Sequence, residues 1–203
     1  MPPATGSRRV APAQAPQKLA LPRGALTPQS AAQTLGCLLP EGAIVVNEAA
    51  TSGFAIPALT AAAPAHDWLD LTGGAIGQGL PTAVGAAVAS PGRRVLALEG
   101  DGSGMYTLQA LWTMAREDLD VTVIVLANRS YQILHGEFRN MGAGTPGQRA
   151  KDMLTLDRPY LDWIALARGH GVEAARATTL DGFAEQLGKA VARRGPYVIE
   201  LLL

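Results

Sequence analysis

A chain of 203 residues in which 17 Lys and Arg balance 17 Asp and Glu has no formal net charge, which argues against nucleic acid or an acidic membrane surface as its partner. With 48% hydrophobic residues it can bury one sizeable core, enough for a single domain, but its alanine-rich runs are broken by Pro, Gly, Asp or Arg before they could span a bilayer. The single cysteine, Cys37, cannot form an internal disulfide; it reads as a core residue and agrees with a reducing, cytoplasmic location.

Residues 1–25, rich in proline and alanine, read as a tail or linker that leads into a domain over 26–203. In LTPQSAAQTLGCLLPEG, Thr27 is placed to cap a helix with Pro28 at its first position, and Pro40 and Gly42 end it. AIVVNEAATSG follows as a short buried strand over 43–46 and a polar turn bearing Asn47, Glu48, Thr51 and Ser52. DWLDLTGGAIGQGLPTAVGAAVAS repeats the pattern, with a glycine-rich turn and a helix of small residues over 79–90 stopped by Pro91 and Gly92.

RRVLALEGDGSG gives a strand over 94–98 that runs into Asp101, flanked by Gly100 and Gly102. TLQALWTMARE then spaces Leu108, Leu111, Trp112 and Ala115 as a helix would, and Trp112 and Trp163 are both expected in the core. Val121 to Leu126 is an almost unbroken apolar run, as a strand covered on both faces of a parallel sheet requires. Residues 136–157 are polar and glycine-rich and read as a long loop or lid. The remainder gives a helix in LDWIALARGHG, a short strand in EAARAT, a helix in LDGFAEQLGKAVARRG and a last strand in PYVIELLL. This alternation predicts a doubly wound α/β domain, a mostly parallel sheet with helices on both faces.

Ligands of such sheets bind beyond the carboxyl ends of the strands. Three loops there are rich in glycine or short polar residues: NEAATSG, GDGSG and ANRSYQIL. A glycine loop leading into a helix offers backbone N–H groups to a phosphate. Asp101 has the wrong sign to touch phosphate directly, and taken alone it could equally cap a helix. A divalent cation between carboxylate and phosphate resolves the conflict, because Mg2+ takes hard oxygen ligands. Asn128, one crossover further on, adds a neutral oxygen at the same sheet edge.

On these residues the sequence resembles the thiamine diphosphate (ThDP)-dependent enzymes, whose cofactor motif pairs GDG with an Asn after the next apolar strand. LTGGAIGQGLPTAVGAA is similar to a segment of acetohydroxyacid (acetolactate) synthases and benzoylformate decarboxylases, and GDGSGMYTLQALWTMARE is close to the decarboxylase form. VNEAATSG and GPYVIELLL resemble the start and end of the same pyrophosphate-binding (PP) domain. The resemblance implies a ThDP-binding fold over 26–203, with ThDP and Mg2+ as cofactors. It implies that Asp101, the Asn128 side chain and the Ser130 carbonyl ligate Mg2+, and that Thr51, Gly102 and Ser103 meet the diphosphate. The Gly74 carbonyl would accept a hydrogen bond from the aminopyrimidine, Ala75 and Ile76 would follow in the same contact segment with Ile76 bending the cofactor, and Tyr131, Gln132 and Ile133 would line it. Ala127, Arg129 and Gln132 depart from the family's usual residues, the last two where reaction specificity could change.

The implied activity is that of a 2-keto acid lyase or transferase: loss of CO2 from a small 2-keto acid, then release of an aldehyde or addition to a second keto acid. The resemblance implies that the activating glutamate comes from a pyrimidine-binding (PYR) domain, in another domain or chain, and Glu48, expected on the diphosphate side, is not expected to substitute for it. The chain alone is therefore expected to be inactive and to work in a homo- or hetero-oligomer; a non-catalytic ThDP-binding module is the other reading. His66, His135 and His170 read as surface or loop residues, with His135 and Glu137 the better candidates for contacts near substrate. Arg193 and Arg194 read as charges that suit a helix C-terminus.

Overall fold

The computed structural model describes residues 19–203. Its sheet has six strands, β1 (Ile44–Asn47), β2 (Asp67–Asp70), β3 (Val95–Gly100), β4 (Val121–Ala127), β5 (Glu173–Ala177) and β6 (Tyr197–Leu202), in the order β2-β1-β3-β4-β6-β5. Every neighbouring pair is parallel. The chain leaves β1 for β2 on one side and comes back to β3 on the other, so the loops after β1 and β3 diverge and open a crevice at that point.

The helices are α1 (Pro28–Leu38), α2 (Ile56–Thr60), α3 (Gly79–Ala89), α4 (Ala110–Arg116), α5 (Gln132–Asn140), α6 (Gln148–Leu154), α7 (Trp163–Gly169) and α8 (Leu180–Ala192). Strand residues alternate between two cores. Leu96, Leu98, Ile124 and Leu126 face α1, α2 and α8 through Leu35, Ile56 and Phe183. Val95, Ala97, Val123 and Val125 face α3, α4 and α7 through Leu80, Met114 and Trp163. All seven residues of β4 are buried, the signature of a central strand covered on both sides. The doubly wound architecture is therefore as the sequence predicts. No helix among the described residues is long and apolar enough to cross a membrane.

Local signals account for the boundaries. Thr27 caps α1 by accepting the Ser30 N–H (3.1 Å), Ser30 Oγ accepts the Thr27 N–H in return (2.9 Å), and Pro28 opens the helix. Residues 1–18 of the expected tail lie outside the described residues. Beyond them, Ala20 accepts a hydrogen bond from Cys37 Sγ (3.3 Å).

Three expectations need correction. Cys37 is half-buried at the edge of α1 and not in the core. Trp112 is 54% exposed, because Ala110, Leu111 and Met114 take the inward face of α4; its ring lies under the Arg116 guanidinium, one turn on, at 5.3 Å. Trp163 is fully buried as expected. Residues 136–157 are no simple loop: α5 begins at Gln132 and α6 follows. The ends of this excursion are zipped together, Tyr131 N–H donating to the Leu154 carbonyl (2.9 Å) and Leu156 N–H to the Arg129 carbonyl (2.8 Å). Neither helix buries a residue fully, so neither offers the continuous apolar run of a core element.

Candidate functional site

A cavity of about 320 Å³ opens at the carboxyl ends of β1, β3 and β4 and reaches the loop after β2. From the residues predicted from sequence it is lined by Thr51, Gly74, Ile76, Asp101, Gly102, Ser103, Asn128, Ser130, Tyr131, Gln132 and Ile133. Ala75 lies between two of these but does not line it, and neither do His135 and Glu137, which ride on α5. His66 and His170 face local backbone instead, each Nδ1 lying 2.8 Å from a carbonyl, that of Pro64 and of Leu166. Arg193 and Arg194 pair with Glu173 and Asp120, each at 2.6 Å.

Asp101 stands where β3 ends and is 4% exposed. Its two oxygens accept backbone N–H groups, Oδ1 from Gly102 (3.1 Å) and Oδ2 from Arg129 (2.7 Å). Among the described residues no cationic side chain forms an ion pair with it. Burial pushes its carboxyl above the usual carboxylate range, against the pull of those hydrogen bonds. Arg129 brings its amide there by taking a left-handed backbone (φ 56°), while its guanidinium turns away to stack on Tyr160 at 4.6 Å.

Asn128 follows β4. Its Nδ2 donates to Ser52 Oγ (3.1 Å), which ties the loop after β4 to the loop after β1, and its Oδ1 accepts the Ser130 N–H (3.0 Å). Ser103 turns its hydroxyl back on its own turn, accepting the Gly100 N–H at 3.0 Å. Gly102 has to be glycine: a Cβ there would stand 2.5 Å from Tyr131 Cε1 and 3.2 Å from Leu156 Cδ1. The Tyr131 ring thus lies directly on the turn that carries Asp101.

No cluster of three His, Cys, Asp or Glu suited to a metal occurs among the described residues. A cation held here would meet one buried carboxylate with neutral oxygens from Asn128 and Ser130 around it. That donor set suits Mg2+, which binds through one or two carboxylates and completes its shell with phosphate oxygens and water. A carboxylate that burial destabilises, with no positive partner, is also where a divalent cation gains most.

Several lining residues were not among the predicted contacts, Ser52, Leu71 and Glu48 among them. Glu48 is the informative one. It is 4% exposed, and its carboxylate accepts the N–H groups of both Gly77 and Gly79 in the loop before α3. Beside it Glu99 is buried with Oε1 unpartnered, and burial together with the Glu48 charge holds its carboxyl well above the usual range. The signal in the sequence was an acid directly after a buried strand, but nothing local names its partners across 29 and 31 residues.

The family described as "Thiamine pyrophosphate enzyme, C-terminal TPP binding domain" matches residues 51–201. A Mycobacterium tuberculosis H37Rv protein named for the acetolactate synthase large subunit, IlvX, is 52% identical over 195 residues, covering 96% of this chain and 38% of its own. Benzoylformate decarboxylase of Pseudomonas aeruginosa is 34% identical over 201 residues, covering 95% of this chain and 37% of its own. Among solved structures, the ThDP-dependent 4-hydroxybenzoylformate decarboxylase of Rhodococcus jostii RHA1 superposes with a TM-score of 0.75 at 30% identity, over 91% of this chain and 34% of that one. The chain spans little more than a third of the length of these relatives.

Proposed function

Since the chain belongs to the C-terminal TPP-binding domains of thiamine pyrophosphate enzymes, we propose that its cavity holds the diphosphate end of ThDP through Mg2+. The enzyme it serves would be of the acetolactate synthase or 2-keto acid decarboxylase kind, as the names of its relatives suggest. The observation that carries the reading is the convergence of Asp101, Asn128 and Ser130 in one cavity with Gly74 and Ile76.

In this reading the Asp101 carboxylate, Asn128 Oδ1 and the Ser130 carbonyl hold Mg2+. Thr51, the Gly102 turn and Ser103 bind the diphosphate. The Gly74 carbonyl would accept a hydrogen bond from the aminopyrimidine, Ala75 would continue that strip of backbone, and the half-exposed Ile76 would be the bulky side chain that bends the cofactor. Tyr131, Gln132 and Ile133 would line it. When bound, ThDP supplies the carbon nucleophile that attacks the keto group of a small 2-keto acid and accepts the electrons released with CO2.

Activation is assigned to a glutamate of a PYR domain, carried by another domain or chain in a homo- or hetero-oligomer. The length of the relatives supports this assignment. So does Glu48, whose two oxygens are already occupied by backbone N–H groups. A soluble, cytoplasmic enzyme belongs to the same proposal. Its test is calorimetric titration of the chain with ThDP in Mg2+ and again in EDTA. Binding heat only with Mg2+, and turnover of a 2-keto acid only after a PYR domain is added, are the expected results. Equal heats in both buffers would remove the metal from the site.

A further inference from the structure

The loop from Thr72 to Gly79 carries Gly74 and Ile76 and is closed on itself by two long turn bonds, Ala75 N–H to the Thr72 carbonyl (3.3 Å) and Gln78 N–H to the Ala75 carbonyl (3.2 Å), neither of which ties it to the sheet. Gly73, Gly74 and Gly77 all have positive φ (64°, 69° and 89°), and within the loop Gln78 and Thr72 pair only through their side chains and one backbone N–H, at 3.2 and 3.4 Å. Two contacts from outside fix it. Thr107 Oγ1 donates to the Gly77 carbonyl (2.9 Å), and the Glu48 carboxylate accepts the N–H groups of Gly77 and Gly79.

Gly79 is the first residue of α3, and its cap position, Gln78, offers no side-chain cap. Glu48 therefore fills the cap of α3 from across the chain, a negative charge on the positive end of an 11-residue helix. The position is built for this. A Cβ on Gly79 would stand 2.7 Å from Glu48 Oε2 and run into Glu99 Oε1, so only glycine lets the carboxylate reach the amide. Glu48 itself is set by the sheet, its N–H donating to the Leu98 carbonyl of β3 (2.8 Å), three residues before Asp101.

We infer that Glu48 is a positioning residue: it fixes the Gly74–Ile76 segment relative to Asp101, and so sets the distance between the pyrimidine-contact end of the cavity and its diphosphate end. The inference rests on the ThDP reading of the cavity. It separates two parts of the site, because inorganic pyrophosphate uses only the Asp101 end and ThDP uses both.

The test compares Glu48→Gln with wild type, each titrated with ThDP and with inorganic pyrophosphate in Mg2+, and follows amide hydrogen exchange in both proteins. Gln keeps the size of the side chain but offers one oxygen where two N–H groups need an acceptor. The expected result is a loss of about tenfold in ThDP affinity, as for other residues that orient a binding group, with pyrophosphate affinity unchanged and faster exchange confined to Gly77 and Gly79. A variant that keeps the wild-type advantage of ThDP over pyrophosphate overturns the inference and leaves the cofactor reading intact. Parallel losses for both ligands, with exchange rising through β4 as well, also overturn it, since Glu48 would then serve the fold at large. Wild-type protein that binds pyrophosphate but gains nothing from the thiamine portion overturns the cofactor reading, and this inference falls with it.

Discussion

The two ends of the sheet treat an acid withdrawn from solvent in opposite ways. At the amino end, Asp120 precedes β4; burial pushes its carboxyl up, but the Gly195 N–H (2.8 Å) and the guanidinium groups of Arg194 (2.6 Å) and Arg94 (3.7 Å) outweigh burial and hold it below the usual range. At the carboxyl end, Asp101 follows β3 with backbone N–H groups as its only hydrogen-bond donors among the described residues, and burial holds its carboxyl above the usual range. An acid that serves the fold is neutralised by the fold. In the proposed reading Asp101, with no ion-pair partner among the described residues, has its charge completed from outside by the cation, at the cost of some stability in the free domain.

The largest effect on the folded chain is expected where the fold does its own neutralising. Asp120→Ala should lower stability by about 2–3 kcal/mol, less than for a fully buried pair because Arg194 is largely exposed. Urea unfolding measures it, and a loss under about 0.5 kcal/mol, the scale of an ordinary surface substitution, would erase the contrast between the two ends.

The pH dependence carries the same contrast with opposite signs. For Asp120, whose folded value is depressed, the stabilisation is present above the unfolded value of about 3.9 and is lost as pH falls through the folded value. For Asp101 the folded value is raised, so the native state binds the proton more tightly. Stability then declines as pH rises from about 3.9 through that folded value, and above it the penalty is complete. Unfolding of wild type and Asp101→Asn across this range should give curves that meet at low pH and separate as pH rises, the variant becoming more stable by up to about 1 kcal/mol without ligand. A variant less stable than wild type at neutral pH would mean that Asp101 serves the fold.

The smallest effect is expected at Arg129. Only its backbone N–H serves Asp101, while its side chain stacks on Tyr160. Arg129→Gly should relieve the left-handed backbone and lose the stacking, each worth about 1 kcal/mol, leaving ThDP affinity within about threefold. A larger loss, read by the same titration, would make the guanidinium a ligand contact.

What was legible in the sequence was the part held by contiguous residues. β3 and β4 are apolar on both faces, so their ends could be placed, and with them Asp101 and Asn128. The excursion through α5 and α6 was not legible, because those helices bury no residue fully and are held by pairing of 129–131 with 154–156. Trp112 misled for a related reason: its spacing is helical, but α4 is only seven residues long and Leu111 and Met114 already fill its inward face. Glu48 was visible as an acid after a strand. Its partners were not, since a contact between loops is fixed by sheet order, which places β1 beside both β2 and β3.

Calorimetric titration of ThDP with Mg2+ into Asp101→Asn and Asp120→Asn, side by side, tests the central contrast most directly. Asp120→Asn should keep the wild-type affinity as long as it is folded, and Asp101→Asn should lose it by about a hundredfold or more, as expected when a metal loses the one charged ligand in its site. Wild-type affinity in Asp101→Asn would contradict the assignment of this acid to a cation.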